Sequence, residues 1–201
     1  MSLTSRPLAT GTASSVLTGF NWAVNDVISR NIQKRAVISL SLGSSAPSGG
    51  PDAFETAIIA AYNQGITSVC AAGNEDSPAA KWSPARLSQC ITVGMTNAAR
   101  NRAAPYPRIF GSNYGPEVDI FAPGDEVVAA AKASDTAVVA KSGTSMATPV
   151  VAGVISYLRS VESGLDTPEQ VRARLVELSL KGVLGDVKDS PNRLVNNNSG
   201  L

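Results

Sequence analysis

Apolar residues recur at three- and four-residue spacing between residues 14 and 32, where Val16, Leu17, Phe20, Ala23, Val24, Val27 and Ile28 share one face. This predicts an amphipathic helix with a serine at its mouth as cap. The pattern then changes. Residues 36–42 form a nearly continuous apolar run, stopped by Gly43 and a Ser/Pro/Gly stretch to Pro51, and read as a buried strand. Helical spacing returns over residues 52–63 (Phe54, Ala57, Ile58, Ala61, Tyr62) and closes at Gly65. Residues 66–72 and 91–95 are two further strands, the first ending at Gly73-Asn74. Unbroken apolar strands alternating with helices predict an α/β fold, a doubly wound parallel sheet with helices on both faces.

The second half is read in the same way. Residues 97–115 are rich in Arg, Pro and Asn and predict loop, and residues 118–121 a short strand entering Ala122-Pro123-Gly124. Residues 127–131 and 136–140 flank a polar turn and predict a hairpin. Residues 146–161 predict a long apolar helix with Pro149 tolerated in its first turn. Thr167-Pro168-Glu169 opens a last helix reaching about residue 180, and the tail beyond Gly182 is expected to be mostly loop. With no repeat or linker, residues 1–201 are expected to form one domain.

Composition removes several function classes. A hydrophobic content of 43% and a charged content of 16% are globular values. A net charge of +1 gives no basis for a nucleic-acid partner, and no apolar run is long enough for a membrane span. The first seven residues lack the apolar core of a secretion signal. Cys70 and Cys90 lie in apolar runs and are expected to be buried free thiols, a disulfide forming only if their strands are juxtaposed. With no histidine and two cysteines, no structural zinc site is expected.

Three segments could carry chemistry. Ser145 lies between a Gly turn and a helix, where its own N–H would face a developing negative charge; alternatively it is a helix cap. Asn74 ends a buried strand and could donate its amide to an oxyanion, or simply be a turn residue beside a glycine. Ser41-Leu42-Gly43 ends another strand and offers backbone to an extended peptide.

In chain order, Ser41-Leu42-Gly43, Ala71-Ala72-Gly73-Asn74 and Ser142-Gly143-Thr144-Ser145-Met146-Ala147-Thr148-Pro149 resemble the subtilisin-like serine proteases, in particular the proteinase K-like branch. Trp82-Ser83-Pro84-Ala85, Ile91-Thr92-Val93-Gly94, Phe110-Gly111-Ser112-Asn113-Tyr114-Gly115 and the residues from Val118 to Gly124 add to the likeness, which runs over about residues 14–196. The resemblance implies a serine endopeptidase acting through an acyl-enzyme at Ser145, with Asn74 as oxyanion donor. It makes Ser41, Leu42, Gly43, Ala71, Ala72 and Gly73 the walls of the peptide-binding pocket. The family is typically secreted, and its partners are protein or peptide substrates. No cofactor is required, although the resemblance brings a candidate structural calcium site near residues 84–91 and Asp119. The residue reading prefers Asp119 as an acceptor for turn N–H groups.

The departures bear on activity. The family's triad runs Asp, His, Ser along the chain, and the Asp and His segments would precede everything seen here. The chain therefore reads as the back portion of a catalytic domain lacking its N-terminal strands, with the missing front as a candidate partner. Val150 stands where family members commonly carry a histidine that is not the triad base. Lys141 is a weak substitute base, being protonated when exposed. Measured in subtilisin, loss of the histidine alone lowers turnover by about a million-fold, so this chain alone is expected to be nearly inert. The alternatives are a catalytically dead derivative that binds peptides or proteases, and an unrelated domain in which Ser145 is a cap. Without its neighbour, the strand at residues 36–42 becomes an apolar edge, and marginal stability or dependence on a partner is expected. Asn197-Asn198-Ser199 is a glycosylation acceptor pattern, relevant only to a secreted chain.

Overall fold

The computed structural model describes residues 12–104 and 110–200. In chain order it places α1 (Ala13–Ser29), β1 (Val37–Leu40), β2 (Ser44–Ser45), α2 (Ala53–Asn63), β3 (Thr67–Ala71), β4 (Trp82–Ser83), β5 (Cys90–Thr96) and β6 (Ile120–Pro123). These are followed by β7 (Val127–Ala130), β8 (Val138–Lys141), α3 (Thr144–Val161), α4 (Pro168–Leu178), β9 (Leu180–Lys181) and β10 (Arg193–Leu194). The central sheet has the order β1-β3-β5-β6-β10-β9. The pairs from β1 to β10 are parallel, and β9 runs antiparallel to β10.

Helices cover both faces, as the apolar pattern requires. On one face Phe20, Val24 and Val27 of α1 and Ile58 and Ala61 of α2 share a core with Leu40, Cys70 and Cys90. On the other, Ala147, Val151, Ile155 and Leu158 of α3 and Val171 and Leu175 of α4 close over Val69, Ile91, Val93, Met95 and Ile120. Consecutive residues such as Val69 and Cys70 serve opposite cores because side chains alternate across a pleated strand. Gly94 sits where a β-carbon would strike the Phe121 ring, so the close approach of β5 to β6 depends on its having no side chain.

Several expectations are corrected. The cysteines are not free: Cys70 of β3 and Cys90 of β5 form a disulfide with Cα atoms 5.9 Å apart. Cys70 pairs with Thr92 and Cys90 with Ser68, so the parallel register puts both thiols on the same face, two residues out of step. The tail beyond Gly182 is mostly loop as expected, and the addition to that reading is β10, a parallel strand beside β6 with which β9 pairs. Two-residue strands carry too little pattern to be read in advance. Helix α1 is capped by Thr12, whose Oγ1 accepts from the Ser15 N–H at 3.2 Å, rather than by a serine. Helix α3 begins at Thr144, which puts Pro149 in the second turn instead of the first.

The edge expected at residues 36–42 shortens to the four residues of β1, which stands at the end of the sheet with only β3 paired to it among the described residues. On α3, Tyr157 and Val161 are exposed.

Glu55 joins α2 to the loops beside the sheet. It completes the α2 capping box with Asp52 and is fully buried. Arg86 grips it with a two-pronged fork, Nε to Oε1 at 2.8 Å and Nη2 to Oε2 at 2.7 Å. The Arg86 hydrogen bond holds the Glu55 carboxyl below its ordinary value, against the opposing effect of burial. A depressed folded-state pKa gives stability that is present above the unfolded value of 4.5 and is lost as pH falls through the folded one. Urea unfolding from pH 7 to pH 3 should therefore show an acid loss of stability that E55Q flattens. At pH 7, E55Q should cost about 3 kcal/mol, because Arg86 loses its charged partner. Separately, C70A/C90A should cost about 3 kcal/mol in the same assay, the entropy of the 20-residue separation it releases.

Candidate active site

Strands β1 and β3 end side by side, and the chain leaving each turns toward the N-terminus of α3. Ligands of parallel α/β sheets gather at such carboxyl ends. Gly143 precedes the helix with φ +154° and offers no side chain to cap it. The cap comes instead from Asn74, whose Oδ1 accepts from the Thr144 N–H at 2.8 Å and from the Thr144 hydroxyl at 3.1 Å. With Oδ1 committed twice, the donor side of the Asn74 amide is left for other use. Ser145 is the second residue of α3, so its N–H has no partner one turn back within the helix.

Pro149 contributes through what it lacks. Having no N–H, it cannot bond the carbonyl of Ser145 four residues earlier. That carbonyl accepts the Ser41 hydroxyl at 2.8 Å, while the Ser145 hydroxyl donates to the Ser41 carbonyl at 3.4 Å. The end of β1 is thus tied to the serine turn from both sides.

A cavity of about 100 Å3 lies between these segments, lined by Leu42, Gly43, Ala71, Ala72, Gly73, Asn74, Thr144 and Ser145. The structure brings together all the residues singled out from the sequence except Ser41, which reaches Ser145 from outside the cavity. Ser41, Leu42 and Gly43 also line a larger adjoining cavity of about 600 Å3 with Val16 and Phe54. Ser145 is not the helix cap. Lys141, at the end of β8, is exposed and does not line the smaller cavity. Val150 packs against the α3 core.

Sequence reasoning missed the residues that hold this geometry. Glu75, Trp82 and Ser83 also line the small cavity. Buried Asn113 organises the turn carrying Asn74: its Oδ1 accepts from the Glu75 and Ser77 N–H groups, and its Nδ2 donates to the Ala72 carbonyl and to Glu75 Oε2. Gly73, at φ +101°, passes so close that a β-carbon there would fall on the Asn113 amide. The sequence holds Asn113 only within a loop motif, and nothing local marks it as the support of a turn nearly forty residues away.

Comparison with known proteins settles the family. Residues 9–200 match the subtilase family, Peptidase S8. The chain belongs to the subtilase family. This subtilase chain is 45% identical to alkaline protease 1 of Aspergillus clavatus over 94% of its own length and 44% of that protein's. It is 44% identical to the alkaline proteinase of Hapsidospora chrysogena over 96% of its length and 45% of that protein's. It therefore spans less than half the length of these curated relatives. A solved cold-adapted subtilisin-like serine proteinase superposes with a TM-score of 0.78 at 34% identity, covering 93% of this chain and 62% of that one.

At the candidate calcium site both Asp119 carboxylate oxygens already accept from protein donors. Asp119 Oδ2 accepts the Thr92 N–H at 2.8 Å, and Oδ1 accepts from the Arg172 guanidinium at 3.1 Å. Burial pushes the Asp119 carboxyl up, with Arg172 and the Thr92 N–H opposing. Among the described residues no three His, Cys, Asp or Glu side chains gather as a metal group. No described helix is long and apolar enough to cross a membrane.

N113A should lower stability by about 2–4 kcal/mol in urea unfolding, because two N–H donors and a carbonyl of the turn lose their partner together.

Proposed function

We propose that this chain is the nucleophile-bearing portion of a subtilisin-like serine endopeptidase. Ser145 Oγ attacks the scissile carbonyl and forms the acyl-enzyme, while the Ser145 N–H and the Asn74 side-chain amide stabilise the oxyanion. The peptide lies along Ser41-Leu42-Gly43 on one side and Ala71-Ala72-Gly73 on the other. The observation that carries this reading is the shared lining of one small cavity by Ser145 and Asn74, at the meeting of two strand ends and a helix N-terminus.

The 201 residues contain no histidine, so the general base is not among them. It belongs with the triad Asp on a separate segment, which would also continue the sheet beyond the open edge of β1. Until that segment is present the chain is nearly inert, by about the million-fold that loss of the histidine costs in subtilisin. No cofactor enters the chemistry, and the substrates are proteins or peptides. The buried Cys70–Cys90 disulfide favours an oxidising, extracellular setting.

A second reading, a catalytically dead peptide- or protease-binding derivative, is favoured by the same missing histidine beside intact pocket walls.

A fluorophosphonate probe distinguishes the two. The purified chain should label slowly at Ser145. Adding a separately produced front segment that carries the Asp and His of an alkaline protease relative should raise labelling and peptide hydrolysis by at least about a thousand-fold. S145A should abolish both. N74A should cost the complemented enzyme about a hundred-fold or more in turnover. Peptide binding with no labelling under either condition supports the binder, and hydrolysis that survives S145A sinks the endopeptidase reading.

A further inference from the structure

Arg172 stands on α4, which packs over the α3 face of the sheet. Its guanidinium crosses from the helix to the end of the loop entering β5. Nη1 donates to Asp119 Oδ1 at 3.1 Å, and Nη2 donates to the Ser88 carbonyl at 2.6 Å and to the Cys90 carbonyl. One carboxylate and two backbone carbonyls thus converge on a single positive group. Hard divalent cations take this kind of all-oxygen donor set, with negative charge from a carboxylate and neutral dipoles from the main chain. The remaining Asp119 oxygen is held by the Thr92 N–H, and the Asp119 backbone carbonyl lies 3.5 Å from Arg193 Nη1. A cavity of about 230 Å3 beside the cluster is lined by Arg86, Ser88, Glu117, Asp119 and Arg172. Arg193 is therefore a second cationic side chain beside Asp119, and a further cation entering next to Arg172 would meet like charge, whereas Arg86 directs its guanidinium to Glu55.

We propose that Arg172 is a built-in cation occupying a latent divalent-cation site formed by Asp119 and the carbonyls of Ser88 and Cys90, making this part of the fold independent of calcium. The arginine does the structural work of an ion: it joins α4, the 84–90 loop and the turn before β6 through charge-assisted hydrogen bonds. Unlike an ion it cannot be chelated or diluted away. The placement is independent of the proteolytic reading, since none of these groups lines the Ser145 cavity.

The test uses the whole chain, titrated with calcium chloride by isothermal calorimetry and melted by circular dichroism in calcium and in EDTA. Wild type should show no calcium binding that depends on Asp119, and a midpoint that moves by less than about 1 °C between the two conditions. R172A empties the position and should gain saturable calcium binding, with a midpoint raised by about 3 °C or more in millimolar calcium. D119N in the R172A background should remove both gains, and R172K, which keeps the charge, should stay indifferent to calcium. If R172A is unfolded in EDTA, recovery of its circular dichroism signal on adding calcium, blocked by D119N, is the same supporting result. Calcium binding by wild type that D119N abolishes overturns the proposal. So does an R172A chain that folds yet ignores calcium, or one that stays unfolded with calcium present.

Discussion

The bond from the Asn74 side chain to the N-terminus of α3 is the constraint on which the candidate site depends. A helix that starts after a glycine has no cap of its own, and its first N–H groups need acceptors. Taking that acceptor from the end of β3 fixes the helix against the sheet and orients the Asn74 amide in one step. The reciprocal pair between Ser41 and Ser145 does the same for β1, through a carbonyl that Pro149 leaves unbonded. The small cavity is what remains between three segments that are each held by another.

Arginines hold the surrounding loops by a common device. Arg86 joins buried Glu55 to the Pro47 and Gly50 carbonyls. Arg102, 1% exposed, ties Asp76 to Asp186 and to the Ser112 carbonyl. Arg159 links the C-terminal part of α3 to the Ala36 carbonyl and Thr67. Each guanidinium spreads one charge over several acceptors set by the loop backbone, so irregular chain is fixed without secondary structure. Asp76, Asp186 and Lys188 all have positive φ around Arg102, conformations that cost energy and persist because the ion network and its loops over-determine them.

The principal helices, β1, β3, β5, β6 and the hairpin were legible because helices show three- and four-residue apolar spacing and the strands are apolar runs bounded by turn residues. The errors fell where that signal is weak. Strands β9 and β10 are two residues long, α1 takes its cap from Thr12, and α3 begins two residues before its apolar run. At the candidate site, Ser145, Asn74 and the two wall segments could be read from motifs at strand and helix ends. Glu75, Asn113 and Thr144 could not be assigned their supporting positions, since these arise from chain crossings that local spacing does not encode.

By itself the sequence determined the α/β class, the order of the main elements, the membership that its serine motif suggests, and the absence of a histidine. These are properties of composition and short-range pattern. Only the tertiary structure decided that Cys70 and Cys90 meet, that Asn74 caps α3, and that an arginine faces Asp119. Each depends on register between strands or on contact between residues far apart in the chain, and side chains acquire such partners only when the sheet and its helices close together.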